Sequence, residues 1–411
     1  MRIAFIATSA FMGGAERVLV DLIAAVRRTR PQWRALVVCP GRGPLVDRCI
    51  AGGAECLVVE MPHQLAQLSE TAFDGRSARS ASLVAAGLQL GVGAAATPLY
   101  VRRLRAAIAA FAPDIVHTNG VKAHILSPWI AGRAPVVWHL HEYVGSRPIS
   151  RTVLQKCVSR VRAIIANSRS VADDARDALG VEAEVIENAV DLEEFAPDGA
   201  ALDLDRLGGL SPDGEAVRVG LVGTFARWKG HDIFLRALAR LPGDPRVRGY
   251  VVGEAIYSTA GSQWTTNDLQ ALARTLGVDG RVGFTGFQPA PQVLRALDIV
   301  VHPSTSPEPF GMALAEAMAC GRAVITTAQG GARDIVDPDH TAVVVPPGDV
   351  TSLVDAIATL ARSSELRQRL GQSARRAAAA RFDSSRFAGE VIEMYERALA
   401  SSNPAQGRTV A

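Results

Sequence analysis

Cysteine, aromatic residues and net charge are all in short supply in this chain, and each shortage removes a class of protein. Five cysteines occur in 411 residues: Cys39, Cys49, Cys56, Cys157 and Cys320. They are scattered, odd in number and form no C-x-x-C pair, so neither a disulfide scaffold nor a zinc site is implied, and a reducing compartment suits them best. Aromatic residues make up only 5% while alanine is abundant, which favours helices packed closely on a sheet. Lys+Arg number 44 against 41 Asp+Glu, leaving +3, too near balance to imply nucleic acid as a partner. The chain has 48% apolar and 21% charged residues, the mixture of a soluble globular protein rather than a disordered or collagen-like one. Its length exceeds the roughly 250–300 residues at which single cores stop growing, so two domains of about 200 residues are expected. The opening Met1-Arg2-Ile3-Ala4-Phe5-Ile6-Ala7 lacks the apolar run of a signal peptide and meets Gly13-Gly14-Ala15-Glu16-Arg17 too soon. It reads as a first strand.

Short β-branched runs then alternate with amphipathic stretches, the signature of βαβ units and parallel sheets. Strands are expected over 2–8, 35–39, 55–60, 114–118, 135–140, 163–167 and 184–187. A polar, Gly/Pro/Asp-rich stretch over 196–215 reads as a linker. Alternation restarts with strands over 217–222, 249–253, 281–285, 298–302, 323–326 and 342–345. Helices over 351–360, 365–380 and 384–400 close the chain. The expected architecture is therefore α/β: two tandem Rossmann-like, doubly wound domains, 1–195 and 216–383, facing a central cleft, with 384–411 packing back on the first. Ligands of such sheets bind beyond the carboxyl ends of the strands. One segment departs from the pattern. Ser80–Val101 carries no charge and is followed by Arg102, Arg103 and Arg105. Its apolar content is mostly Ala and Gly, weak for a transmembrane helix. Three readings stay open for 80–105, in falling order: an alanine-rich core helix, a surface with a basic edge that meets a membrane or an acceptor, and a membrane span.

The densest local chemistry lies in Ser304-Thr305-Ser306-Pro307-Glu308-Pro309-Phe310-Gly311, followed by Met312-Ala313-Leu314-Ala315-Glu316-Ala317-Met318. A strand ends at His302, a Pro-punctuated loop carries Glu308, and a helix begins near Gly311. Free amides at a helix start hold phosphate or sugar oxygens, and glycine admits close approach to the main chain. Glu316, on a small-residue helix, is placed to accept two hydroxyls such as those of a ribose. Gly13 and Gly14 lie between the first strand and the first helix, where amides can approach phosphate.

The run Glu308-Pro-Phe-Gly-Met-Ala-Leu-Ala-Glu316 resembles the E-x7-E motif of family-4 type retaining glycosyltransferases with the GT-B fold. The likeness extends along the chain. Gly13-Gly14-Ala15-Glu16 is similar to the family's glycine loop, Asp114-Ile115-Val116-His117 to its "DIVH" strand and Asn167-Ser168 to its "NS" turn. Ile186-Glu187-Asn188-Ala189-Val190-Asp191 resembles its "IPNGVD" exit from the first domain. Trp228-Lys229-Gly230-His231-Asp232, Val252-Gly253-Glu254-Ala255-Ile256-Tyr257 and Gly330-Gly331 also match. The resemblance implies a nucleotide-diphospho-sugar donor on the second domain and an acceptor on the first. It implies Glu316 on the donor ribose, Glu308 on the transferred sugar, Phe310 and Gly311 amides on sugar or diphosphate, and Lys229 on the diphosphate as a compact counter-ion. It further implies Gly14 near the donor and His141 on the donor sugar. Alternation puts His139 on the same face as His141; the Glu142 that follows, as Asp or Glu does in relatives, favours His141.

Departures from the family pattern are few. Thr224 stands where relatives carry a diphosphate-binding arginine, and Arg227 is the nearest replacement for its charge. The expected activity is transfer of a sugar, with retention, to a hydroxyl of a glycan, lipid-linked sugar or small molecule. No metal or other cofactor is expected, since no D-x-D-type motif occupies a cleft position. The competing functions are a non-catalytic nucleotide-binding GT-B scaffold and a nucleotide-sugar epimerase. Polysaccharide or natural-product biosynthesis and a cytoplasmic location, at the inner face of a membrane through 80–105, suit the family.

Overall fold

The computed structural model describes residues 1–67, 82–241, 246–255 and 262–400, with the backbone alone for 64, 67 and 82–96. The chain divides into two units, one formed by Met1–Ala189 with the last helix, the other by Val190–Asp383.

In the first unit seven strands, β1 (Arg2–Ala7), β2 (Arg34–Cys39), β3 (Glu55–Val58), β4 (Ile115–Asn119), β5 (Val136–Leu140), β6 (Ala163–Ala166) and β7 (Glu184–Val185), form one parallel sheet ordered 3-2-1-4-5-6-7. Its helices are α1 (Gly14–Thr29), α2 (Pro44–Ala51), α3 (His63–Gln67), α4 (Ser82–Phe111), α5 (Val121–Ile130), α6 (Pro148–Cys157) and α7 (Arg169–Leu179). The second unit holds α8 (Leu204–Leu207), then β8 (Val217–Val222), α9 (His231–Arg240), β9 (Val247–Val252), α10 (Thr266–Thr275), β10 (Val282–Gly286), α11 (Ala290–Ala296) and β11 (Ile299–His302). It continues with α12 (Met312–Ala319), β12 (Ala323–Thr326), α13 (Gly331–Ile335), β13 (Val343–Val344), α14 (Val350–Arg362) and α15 (Ser364–Arg381). Its six parallel strands are ordered 10-9-8-11-12-13. The last helix, α16 (Ser384–Ala400), belongs to the first unit.

Each strand expected from the sequence overlaps an observed one. The reason is local: strands such as Val136–Leu140 and Ala323–Thr326 are buried throughout, as parallel strands covered on both faces must be, and read as unbroken apolar runs. Helix α1 shows the complementary pattern, with Val18, Leu19, Leu22, Ile23 and Val26 buried and Arg27 and Arg28 in its last turn, where cations suit the helix dipole.

The stretch 196–215 is not a linker. The first unit ends at Ala189, and residues 196–215 lie within the second. Asp205, only 3% exposed, accepts hydrogen bonds from Arg218 at 3.0 Å, Arg248 at 2.5 Å and Tyr250 Oη at 2.6 Å. Arg295 donates to the carbonyls of Ala196 and Ala200. Turn-forming composition hid a segment pinned by charge at Asp205 and by the burial of its neighbour Leu204 in the core. The reading of 80–105 falls partly on residues outside the described ones. Within α4, Tyr100, Leu104, Ile108 and Phe111 are buried and Arg102, Arg103 and Arg105 are exposed. Among the described residues no helix is long and apolar enough to cross a membrane.

Burial works against an ionised Asp205, but Tyr250, Arg248 and Arg218 outweigh it and hold the carboxyl below the ordinary carboxylate range. A depressed carboxyl contributes stability above its unfolded pKa and loses it as pH falls through the folded value. Asp205→Ala, which strands two arginines and a buried phenol, is expected to destabilise the second unit by about 3 kcal/mol at neutral pH. Urea unfolding at pH 7 measures this, and the gap between parent and variant should narrow as the pH is lowered below about 4.

Candidate active site

Both sheets reverse their strand order beside one central strand, and the loops that leave the carboxyl ends there part to opposite faces. In the second unit these are the loops after β8 and β11. After β8 the chain passes Thr224, makes one 3-10 turn over Arg227–Lys229, and starts α9 at Gly230 with φ 76°. A Cβ at position 230 would run into the carbonyl oxygen of Pro303, so the two loops lie flush. Thr305 ties them further: its N–H and its Oγ1 both donate to the Trp228 carbonyl, at 2.7 and 3.2 Å.

This contact brings Lys229 and Glu308, 79 residues apart, to 2.5 Å (Nζ to Oε1). The same carboxylate oxygen accepts from Ser304 Oγ at 2.8 Å and lies 2.8 Å from His302 Nε2. Glu308 is 5% exposed. Burial pushes its carboxyl up, but the Lys229 charge, then His302, override burial and hold it well below the ordinary range. Lys229 lies over the Trp228 ring, 4.5 Å from its centroid. The main chain of Glu308 is fastened too. Its N–H donates to Gln329 O at 3.2 Å, and Gly331 N–H donates to its carbonyl at 2.6 Å. In that neighbouring loop Ala328 has φ 47° and Gly330 φ 62°. The left-handed alanine costs roughly 1 kcal/mol, local strain of the kind that gathers at functional sites.

Phe310 packs its ring on Phe382, 5.8 Å between centroids, inside the core with Leu314, Ala332 and Ile335. Its side chain is an anchor, and only its main chain is left for a ligand. Gly311, at φ 104°, starts α12, and Glu316 follows on the next turn at 4% exposed, between the fully buried Ala315 and Ala317. Arg227 is exposed and stacks its guanidinium 3.9 Å from the Trp264 ring centroid. Thr224 is half-buried. Of the strand end read as Val252–Tyr257, Ile256 and Tyr257 lie outside the described residues. The carbonyl of Glu254 accepts from Phe225 N–H at 3.1 Å.

In the first unit the corresponding loops follow β1 and β4. Gly13 N–H donates to Glu16 Oε2 at 3.2 Å, so that amide is already engaged within the glycine loop, next to Gly14. His139 and His141 lie on one face, rings 4.0 Å apart. His139 is buried at the core side, and His141 is the more exposed. Behind them His117 meets His139 edge to face at 5.3 Å, and its Nδ1 is 2.7 Å from the buried Tyr395 Oη of α16. Burial depresses His141 to about 3, and burial followed by the neighbouring His141 depresses His117 to about 3. These rings are neutral at physiological pH.

No motif assigns a role to His302, to Ser304 or to Asn119, the last residue of β4. A signal for the first two exists: an ionised carboxylate in an apolar Pro-Phe-Gly loop needs partners, and the nearest polar residues are those at the strand end just before it.

Residues 12–194 match the family described as Glycosyltransferase Family 4, and residues 210–377 match Glycosyl transferases group 1. A D-inositol 3-phosphate glycosyltransferase of Streptomyces bingchenggensis is 30% identical over 70% of this chain and 67% of its own length. The chain belongs to the family-4 glycosyltransferases. A D-inositol 3-phosphate glycosyltransferase of Kribbella flavida is 28% identical over 79% of this chain and 86% of that protein. The solved structure of Anabaena HepE in complex with UDP-glucose matches with TM-score 0.78 and 26% identity, covering 97% of this chain and all of that one. This glycosyltransferase thus has the GT-B fold of its structural relatives.

Lys229→Met is expected to leave Glu308 buried without its main countercharge, raising the carboxyl pKa and destabilising the protein by about 3 kcal/mol. Carbon-13 NMR of the glutamate carboxyls and urea unfolding report the two effects.

Proposed function

We propose that this glycosyltransferase moves a sugar from a uridine diphospho-sugar to an acceptor hydroxyl with retention at the anomeric carbon and without a metal ion. The observation that carries this reading is the Lys229–Glu308 pair on adjoining loops beside the start of α12. A lysine that is charged, oriented and largely desolvated is a counter-ion for a departing diphosphate, the task a divalent cation performs elsewhere. Glu308, held ionised, can only accept hydrogen bonds. It receives hydroxyls of the transferred sugar and cannot serve as the raised-pKa general acid that a glycosidase requires. Glu316 takes the ribose hydroxyls, and the Phe310 and Gly311 amides take sugar or diphosphate oxygens. The second unit is the donor domain and the first the acceptor domain, with Gly14 near the donor and His141 on the donor sugar. Arg227 supplies the second cation that Thr224 lacks.

Catalysis on this reading is positioning plus electrostatic stabilisation of the leaving group, which itself takes the proton from the acceptor hydroxyl. The uridine base is supported by the UDP-glucose complex of the Anabaena relative. The relatives' acceptor makes D-inositol 3-phosphate the first acceptor to assay, followed by glycans and lipid-linked sugars. We place the enzyme in the cytoplasm, touching the inner face of a membrane through the exposed Arg102, Arg103 and Arg105.

Thermal-shift titration with UDP, GDP and ADP tests the donor site: UDP at about 100 times its dissociation constant should stabilise by roughly 2.7 kcal/mol. Stabilisation by GDP or ADP but not UDP would refute the base assignment. Glu316→Ala should weaken nucleotide binding at least about tenfold, or 1.4 kcal/mol. Glu308→Gln should leave nucleotide affinity near the parent's and lower kcat, and Lys229→Ala should impair both. Transfer should persist in EDTA, and proton NMR of the product should show the donor's anomeric configuration.

A further inference from the structure

Asn119 closes β4 and is buried, and its side-chain amide is caught between two groups of fixed character. On one side lies the carbonyl of Ala15 in the first turn of α1, 3.2 Å from Asn119 Nδ2. A carbonyl only accepts, so the amide must turn its NH2 that way. Its Oδ1 therefore faces the other neighbour, His141 Nε2, at 2.6 Å. An amide oxygen only accepts, so Nε2 must carry a hydrogen. In a neutral imidazole one nitrogen is protonated and the other bare. His141 Nδ1 is then the bare one, and it is buried with no hydrogen-bond partner.

We infer that Asn119 is a positioning residue that locks His141 in the Nε2–H form, so that Nδ1 presents a lone pair to a hydroxyl of the sugar substrate. This rests on the reading above that His141 meets substrate. The line of contacts runs from the glycine loop to the ring: Ala15 orients Asn119, Asn119 orients His141, and the His139 ring lies behind it, tilted by 39° at 4.0 Å. Burial, which keeps His141 neutral, preserves the lone pair at physiological pH. An acceptor nitrogen in this place suits a donor group, such as a sugar hydroxyl. It repels a carboxylate, so a uronic sugar with its acid at this contact is disfavoured.

The test uses the full chain labelled with nitrogen-15 at histidine, its ring signals read by long-range proton–nitrogen correlation, and the His141 signals assigned by their loss in His141→Gln. In the parent, Nε2 should show the shift of a protonated nitrogen and Nδ1 that of a bare one. In Asn119→Leu the two shifts should move toward each other as the tautomers mix, and kcat should fall about tenfold or more, with KM for the nucleotide sugar changing less. Asn119→Asp, which keeps an acceptor toward Nε2, should recover part of the loss. A protonated Nδ1 in the parent overturns the proposal, and that measurement needs no variant to fold. Unchanged shifts and kcat in a folded Asn119→Leu overturn it as well. Full transfer by His141→Ala would sink the assignment of His141 to substrate together with this proposal. Loss of transfer in His141→Ala alongside a protonated Nδ1 in the parent would sink this proposal alone.

Discussion

The short contact between Lys229 and Glu308 sets the demands that the rest of the second unit's site meets. A carboxylate at 5% exposure survives ionised only if charge and hydrogen bonds replace the water it has lost. Lys229, His302 and Ser304 supply those replacements on one oxygen. Each must be delivered from a different place: a turn after β8, the last residue of β11, and the loop beyond it. Glycine at 230, the Thr305 bonds to Trp228 and the bridge to the 329–331 segment exist to make that delivery, because any slack in them separates the charges.

The first unit solves a related problem with neutral groups. Where the second unit gathers a buried ion pair at the switch point of its sheet, the first gathers histidines whose charge has been suppressed by burial. In each sheet one of the two strands at the switch point ends in a polar residue, Asn119 on β4 and His302 on β11, at the carboxyl ends where sheets of this kind bind ligands.

Architecture was legible in the sequence because it is written locally. A buried parallel strand must be apolar throughout and an amphipathic helix must repeat, so runs such as Val217–Val222 and Thr351–Leu360 announce themselves without reference to distant residues. The candidate site was legible in part: the loop at 304–311 and the lysine at 229 stood out through glycine, proline and the family resemblance. What stayed hidden was pairing at long range. Nothing near Asn119 points to a histidine 22 residues later, and nothing near Asp205 points to Arg218, Arg248 and Tyr250. The 196–215 stretch misled for that reason, since its turn-forming composition is that of a connector while its function is set by partners elsewhere. Phe310 is a further case: the motif concerns its main-chain amide, and nothing near it points to Phe382 as the partner of its ring.

Helix α16 lies at the far end of the chain from the sheet it completes, and that order governs how the molecule comes into being. As the polypeptide leaves the ribosome, β1 to β7 emerge first, but His117 lacks Tyr395 and α1 lacks its neighbour helix until residue 400 has followed. Every residue of Val190–Asp383 has been synthesised by then. The unit begun first is finished last. During translation its sheet must wait with one face partly bare, longer than domains that fold in the order of their synthesis.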